Sequence, residues 1–153
     1  MNIFRPLLYF AISWSIGCSS HNSLQQAEEL TQQKKYSEAI LAYELHIAER
    51  LNDQDRSDWE NPYFYLLRVG DILLTNDQPS EALEVYLRAE SQGVETTLIS
   101  DRLRALARWY EAQNRLEDAF NILTKHRDRD PLLFDSMLDR IGRALTEKEN
   151  KQL

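Results

Sequence analysis

The sequence predicts an all-α protein: a short right-handed α-α superhelix of about three helical hairpins, closed by a C-terminal capping helix. Three observations carry this. Gly and Pro number only four each in 153 residues, so few places break a helix. Apolar residues recur at intervals of three and four, as in Ala39, Ile40, Tyr43 and Ile47, which sets them on one helical face. One short pattern also returns. Tyr36-Ser37-Glu38-Ala39-Ile40 leads to Tyr43, Pro79-Ser80-Glu81-Ala82-Leu83 leads to Tyr86, and Leu116-Glu117-Asp118-Ala119-Phe120 leads to Leu123. Each has an acidic residue, then alanine, then a large residue four places later. Charged residues make up 28 % of the chain, a share suited to helices with one wet and one buried face.

The spacing predicts helices over 24–33, 36–51, 62–75, 79–91, 97–113, 116–127 and 131–147. Asn61-Pro62 and Asp130-Pro131 each pair a capping side chain with a first-turn proline. Gly93 suits a helix end. After Pro131, residues Leu132, Leu133, Met137, Leu138, Ile141 and Leu145 form one apolar stripe. That helix is expected to cover the last hairpin, because each unit of a stacked array leaves an apolar face open. The chain thus divides into a leader over 1–17, a tether over 18–23, a helical domain over 24–147 and a frayed tail over 148–153.

The recurring pattern resembles the tetratricopeptide repeat (TPR), a helix-turn-helix unit of about 34 residues. A unit starting at Tyr63 has Leu66, Val69, Gly70, Leu73, Ala82, Tyr86 and Ala89 at the family's large and small places. One starting at Ser100 has Leu103, Leu106, Ala107, Tyr110, Ala119 and Leu123, with Pro131 at the closing proline. The first, near Ser20, has Ala27, Leu30, Ala39 and Tyr43 and is the weakest match. The resemblance implies that Ala39, Gly70, Ala82, Ala89, Ala107 and Ala119 are packing residues. Gly70 or Ala107 on one helix would face Ala82 or Ala119 on the next, letting the axes approach the lower end of the roughly 8–10 Å range. There are departures. His46 and His126 stand where a small residue is usual, and Leu51 and Val94 replace the closing proline. The anchor alanines lie 43 and 37 residues apart, with the surplus assigned to Asn52–Asn61 and Ser91–Thr97.

The N-terminus reads as an address. Arg5 precedes ten uncharged, mostly apolar residues, Leu7 to Ile16, and then Gly17. This is the layout of an export signal, and the run is shorter than the ~20 residues that span a bilayer. Ser15-Ile16-Gly17-Cys18 resembles a bacterial lipobox, although Ser15 stands where leucine is usual. The resemblance implies that Cys18 becomes the lipid-modified first residue of the mature chain, a palmitate-type acyl anchor. An ordinary cleaved signal and a buried N-terminal helix remain the alternatives. Cys18 is the chain's single cysteine, so an intramolecular disulfide is excluded. Ser19 rather than Asp implies the outer membrane, facing the periplasm. Ser19 to Ser23 read as flexible.

The net charge is −7, and discounting Arg5 leaves −8 for the rest. That argues against nucleic acid and against electrostatic attraction to anionic lipid. Asp53-x-Asp55-x-Ser57 begins like a calcium loop, but Asp58 and Phe64 occupy the places that need glycine and a bidentate glutamate. His21, His46 and His126 have no metal-site spacing. No phosphate loop or nucleophile elbow occurs, so no cofactor, metal, small-molecule substrate or catalytic set is expected.

What remains is a groove. By resemblance, Phe64, Leu67, Asp71 and Leu74 of the second unit and Asp101, Arg104, Arg108 and Glu111 of the third would line it. Phe64 would anchor a peptide or amphipathic helix while the arginines pair carboxylates. The expected function is a non-catalytic adaptor lipoprotein in the bacterial envelope, serving outer-membrane, pilus or secretion, or cell-wall machinery through a protein partner. The alternative is a self-associating repeat protein whose apolar wall, with Phe64 and Leu67, is a dimer interface.

Overall fold

The computed structural model describes residues 19–151, and all their regular structure is helical. Seven α-helices follow in order: α1 (Ser19–Gln32), α2 (Tyr36–Asn52), α3 (Leu66–Thr75), α4 (Pro79–Ser91), α5 (Thr96–Ala112), α6 (Leu116–Lys125) and α7 (Pro131–Asn150). Short 3₁₀ turns, Pro62–Tyr65 and Arg127–Arg129, lead into α3 and α7. Helices α1–α2, α3–α4 and α5–α6 form three hairpins, and α7 packs on α6. The expected all-α array of three hairpins and a capping helix is therefore the architecture found. The leader over 1–17 and Cys18 lie outside the described residues.

Some boundaries differ. Helix α1 begins at Ser19, inside the stretch read as a tether. Ser23 is buried there, and its hydroxyl donates to Glu49 of α2 at 2.6 Å. Five polar residues in a row, Ser19 to Ser23, hid that start, and the buried Ser23 is satisfied there by hydrogen bonds rather than by apolar contact. Residues 62–65 are a 3₁₀ turn, capped by the Asn61 side chain, which accepts from the Tyr63 amide at 3.0 Å. Helix α6 stops at Lys125, and α7 runs on to Asn150 into residues read as tail.

The three hairpin turns close in one way. Lys34, Asp77 and Asn114 each adopt positive φ, at 59°, 57° and 58°. The next residue donates its amide to a carbonyl five places back: Lys35 to Leu30, Gln78 to Leu73 and Arg115 to Tyr110, each at 2.9 Å. These are Schellman closures, which satisfy the last carbonyls of the preceding helix. Each left-handed residue sits five before its anchor alanine, Ala39, Ala82 or Ala119. The repeat is thus regular inside the hairpins, and the 43- and 37-residue spacings arise in the loops between them.

Ala27, Ala39, Ala82, Ala89, Ala107 and Ala119 are all fully buried. Gly70 is buried too, and what stands nearest to it is the ring of Tyr86. A Cβ at Gly70 would fall 2.3 Å from Cε1 and 2.7 Å from Cδ1 of Tyr86. The missing side chain makes room for this ring. The ring is fully buried, and its hydroxyl donates to Asp71 Oδ1 at 2.9 Å. Burial, with Asp71 beside it, pushes the Tyr86 phenol well above its usual range.

The apolar stripe of α7 also needs correction. Leu132 is 88 % exposed and Leu133 45 %, whereas Phe134 and Ile141 are fully buried. Met137, Leu138 and Leu145 pack partly against the core. At about 100° per residue, Leu133 and Leu132 point roughly 100° and 200° away from Phe134. The covering face therefore runs Phe134, Met137, Leu138, Ile141, Leu145.

Candidate binding groove

Helices α1, α3 and α5, the first of each hairpin, lie side by side with α3 in the middle. Six of the ten residues of α3 are buried, namely Leu66, Leu67, Val69, Gly70, Ile72 and Leu73. Its polar residues, Arg68, Asp71 and Thr75, follow at intervals of three and four and make a narrow wet stripe. Between this stripe and α1 opens a cavity of about 570 Å³. Glu28 and Gln32 border it on α1, Arg68, Asp71 and Thr75 border it on α3, and the buried Tyr43 lies below.

Each residue expected to line the groove has a definite place. Asp71 accepts from the Tyr86 hydroxyl and from Arg102 of α5, whose Nη2 stands 3.2 Å from Oδ2. It is therefore a strut between α3, α4 and α5 as well as a wall of the cavity. Leu67 is fully buried and belongs to the core, not to the surface. Leu74 packs against the core and is half-buried. Phe64 is 43 % exposed but faces a different cavity, also of about 570 Å³, shared with Trp59, Val94 and Leu98. Arg104 is held by Asp101, and its Nε is buried without a hydrogen bond among the described residues. Arg108 is exposed and has no ion pair among them. Glu111 receives both Nη1 and Nη2 of Arg140 of α7, at 2.5 and 3.0 Å.

The structure therefore joins Asp71 to the α5 side of the groove and separates Phe64 from both. Leu67 and Leu74 lie on the flanks of α3, covered by its neighbours, which also shrinks the apolar wall needed for a dimer. The sequence reading missed Arg68. Its signal was present: in a helix that is otherwise apolar, the few polar residues mark the wet stripe.

Two other clusters invite chemistry. Ser23 Oγ lies 3.1 Å from His46 Nδ1 and 2.6 Å from Glu49. The hydroxyl proton goes to the carboxylate, and the serine is 3 % exposed, so the set clasps α1 to α2 and offers no accessible nucleophile. The His46 ring meets Tyr65 edge-on at 4.7 Å, extending the clasp to the turn before α3. Asp53, Asp55 and Asp58 lie in the loop after α2, where Arg50 binds Asp53 and Glu60. Among the described residues no group of three His, Cys, Asp or Glu is placed to hold a metal ion. No helix among them is long and apolar enough to cross a membrane.

Three hairpins nested on small residues, with first helices lining a groove and a terminal helix closing the stack, define a TPR-like helical-repeat protein. A solved structure agrees on the fold. The TPR2AB domain of yeast Sti1, in complex with pHSP90, superposes with a TM-score of 0.60 at 14 % identity, over 87 % of this chain and 50 % of that one. This chain thus spans about half the length of the Sti1 chain. Two structures of the Yersinia enterocolitica type III secretion chaperone SycD are also similar. The one in complex with a peptide of the translocator YopD has a TM-score of 0.47 and 15 % identity, over 91 % and 99 % of the chains. The other has 0.45 and 16 %, over 90 % of each. No family model matches the chain, and no curated protein matches it.

Proposed function

We propose that this chain is a non-catalytic adaptor of the bacterial envelope, held by lipid on Cys18, that binds a segment of a partner protein along α1, α3 and α5. One observation carries the binding part. In a chain with 25 acidic and 18 basic side chains, Arg68 lines the cavity between α1 and α3 and Arg108 stands exposed on α5, neither with an ion pair among the described residues. Guanidinium groups left open in so acidic a protein suit carboxylates brought by a ligand. The cavity between α1 and α3 gives an extended segment room beside them. That Sti1 was solved in complex with pHSP90 supports reading a fold of this kind as a surface for protein ligands.

The anchor part rests on Gly17-Cys18 after the apolar run, and on Ser19 for the outer membrane facing the periplasm. Two acyl chains or more hold a protein stably where one does not. The test places a photo-crosslinking residue at Thr75 in cells. Capture of one partner that disappears in the Arg68→Glu, Arg108→Glu double variant, with helicity by circular dichroism unchanged, is the expected result. Capture that survives both charge reversals counts against the groove. Cys18→Ser should release the chain from membranes, and retention there counts against the anchor.

A further inference from the structure

The two ends of the hairpin stack differ in chemistry. One end holds the three hairpin turns, Gln33-Lys34-Lys35, Asn76-Asp77-Gln78 and Gln113-Asn114-Arg115, all polar. The other end holds the start of α1, the loops after α2 and α4, and the 3₁₀ turn before α7. Three hydrogen-bonded contacts tie it together. Ser23 meets Glu49, the Asn61 side chain donates to the Gln92 carbonyl at 3.0 Å, and Arg129 binds Glu90 at 2.7 Å. Seven large apolar side chains are exposed among the described residues, and five of them gather at or beside this end: Leu51, Trp59 (86 %), Phe64, Leu132 (88 %) and Leu133. The other two, Leu41 and Leu45, lie along α2.

We infer that this end is a second membrane contact, in which Trp59, Phe64, Leu132 and Leu133 rest in the headgroup region of a zwitterionic bilayer. The inference rests on the reading of Cys18 as lipid-modified. Cys18 directly precedes Ser19 in sequence; α1 starts at Ser19 at the same end as these residues, and Ser23 is already pinned to α2. Five residues reach about 18 Å even when fully extended, so a lipid on Cys18 holds this end, and not the polar one, against the bilayer. Tryptophan favours that interface because its ring is apolar and its N–H finds water or headgroup oxygen. Asp55 and Asp58 flank Trp59 in the same loop, which sets the surface against anionic lipid and selects neutral headgroups. The same carboxylates oppose pairing with a second copy, since both would bring like charge. Docking at this end leaves the groove between α1 and α3 running away from the membrane.

The experiment uses the full chain, purified from membranes and returned to phosphatidylcholine vesicles with brominated acyl chains. In a Trp109→Phe variant, Trp59 is the sole tryptophan once residues 1–17 are removed. The expected result is blue-shifted emission from Trp59 and strong loss of it to the bromines. A control with Trp59→Phe, Trp109→Phe and Gln33→Trp, at the polar end, keeps its emission. Mass spectrometry of the same sample reads the acyl group on Cys18. Acylated Cys18 with Trp59 unquenched, or quenched no more than the control, overturns the inference alone. Unmodified Cys18 overturns the anchor reading and this inference with it. A blue shift that grows with protein concentration in the absence of vesicles assigns the surface to a second copy and also overturns it.

Discussion

Gly70 shows how one absent side chain sets a packing distance. In an isolated helix, Gly70→Ala would gain about 1 kcal/mol. Here the new Cβ meets a buried ring at 2.3 Å, and the ring is tied through its hydroxyl to Asp71. Overpacking of this kind costs roughly 1–3 kcal/mol, so a net loss of stability is expected. Urea unfolding reads it, and a higher midpoint would contradict the close approach. His126 gives a pH dependence. Burial first, then Arg129 and Lys125, hold its pKa below the ordinary histidine value. Arg129 donates to Nδ1 at 2.7 Å, which requires a neutral ring accepting there. The unfolded chain therefore binds the proton more readily, and stability falls as pH drops below about 6.5. Glu90, held low by its bond to Arg129, contributes across that window and gives way only at lower pH. His126→Gln should flatten the melting temperature between pH 7.5 and 5.5; an unchanged slope would assign the effect elsewhere.

At the scale of elements, the three hairpin turns carry the repeat more faithfully than the helices do. All three close on a left-handed residue, and none of these is glycine. Left-handed backbone costs an ordinary residue roughly 1–2 kcal/mol, and asparagine and aspartate tolerate it best. Lys34→Gly is therefore expected to stabilise by about 1 kcal/mol, and Asn114→Gly by distinctly less. Thermal melts of the two variants compare them directly, and equal gains would mean that side-chain sterics do not set the cost. The sequence hid these turns because lysine, aspartate and asparagine read as ordinary polar residues. Only the phase between the left-handed residue and its alanine reveals them. Gly93, the glycine that looked like a helix end, does end α4 at φ 84°, in a loop between hairpins.

For the molecule as a whole, stability depends on closing the open face of the third hairpin. Phe134 and Ile141 bring that closure. Phe134→Ala should cost about 3–5 kcal/mol, a large part of the roughly 5–15 kcal/mol that holds a domain together. Leu132→Ala, two residues away and 88 % exposed, should change stability by no more than about 0.5 kcal/mol. Chemical denaturation of both variants tests the assignment, and similar losses would mean that α7 is seated on the other face. The long-range ion pairs Arg102–Asp71, Arg129–Glu90 and Arg140–Glu111 link successive hairpins and α7, so they orient the stack, though partly exposed pairs add only about 1 kcal/mol or less each.

The sequence by itself determined the helices, their pairing and the small residues at their crossings, because period, composition and the recurring alanine act locally and repeat. It also carried the signal of the wet stripe of α3, Arg68, Asp71 and Thr75, although the sequence reading picked out Asp71 and passed over Arg68. Tertiary structure alone decided which side chains stay accessible. Leu67 vanishes under neighbouring helices and Leu74 is half covered, Phe64 turns to a separate cavity, and Leu132 and Leu133 yield the core to Phe134. The reason is geometric: a helix knows its own faces from its periodicity, but which face meets water depends on neighbours that stand tens of residues away.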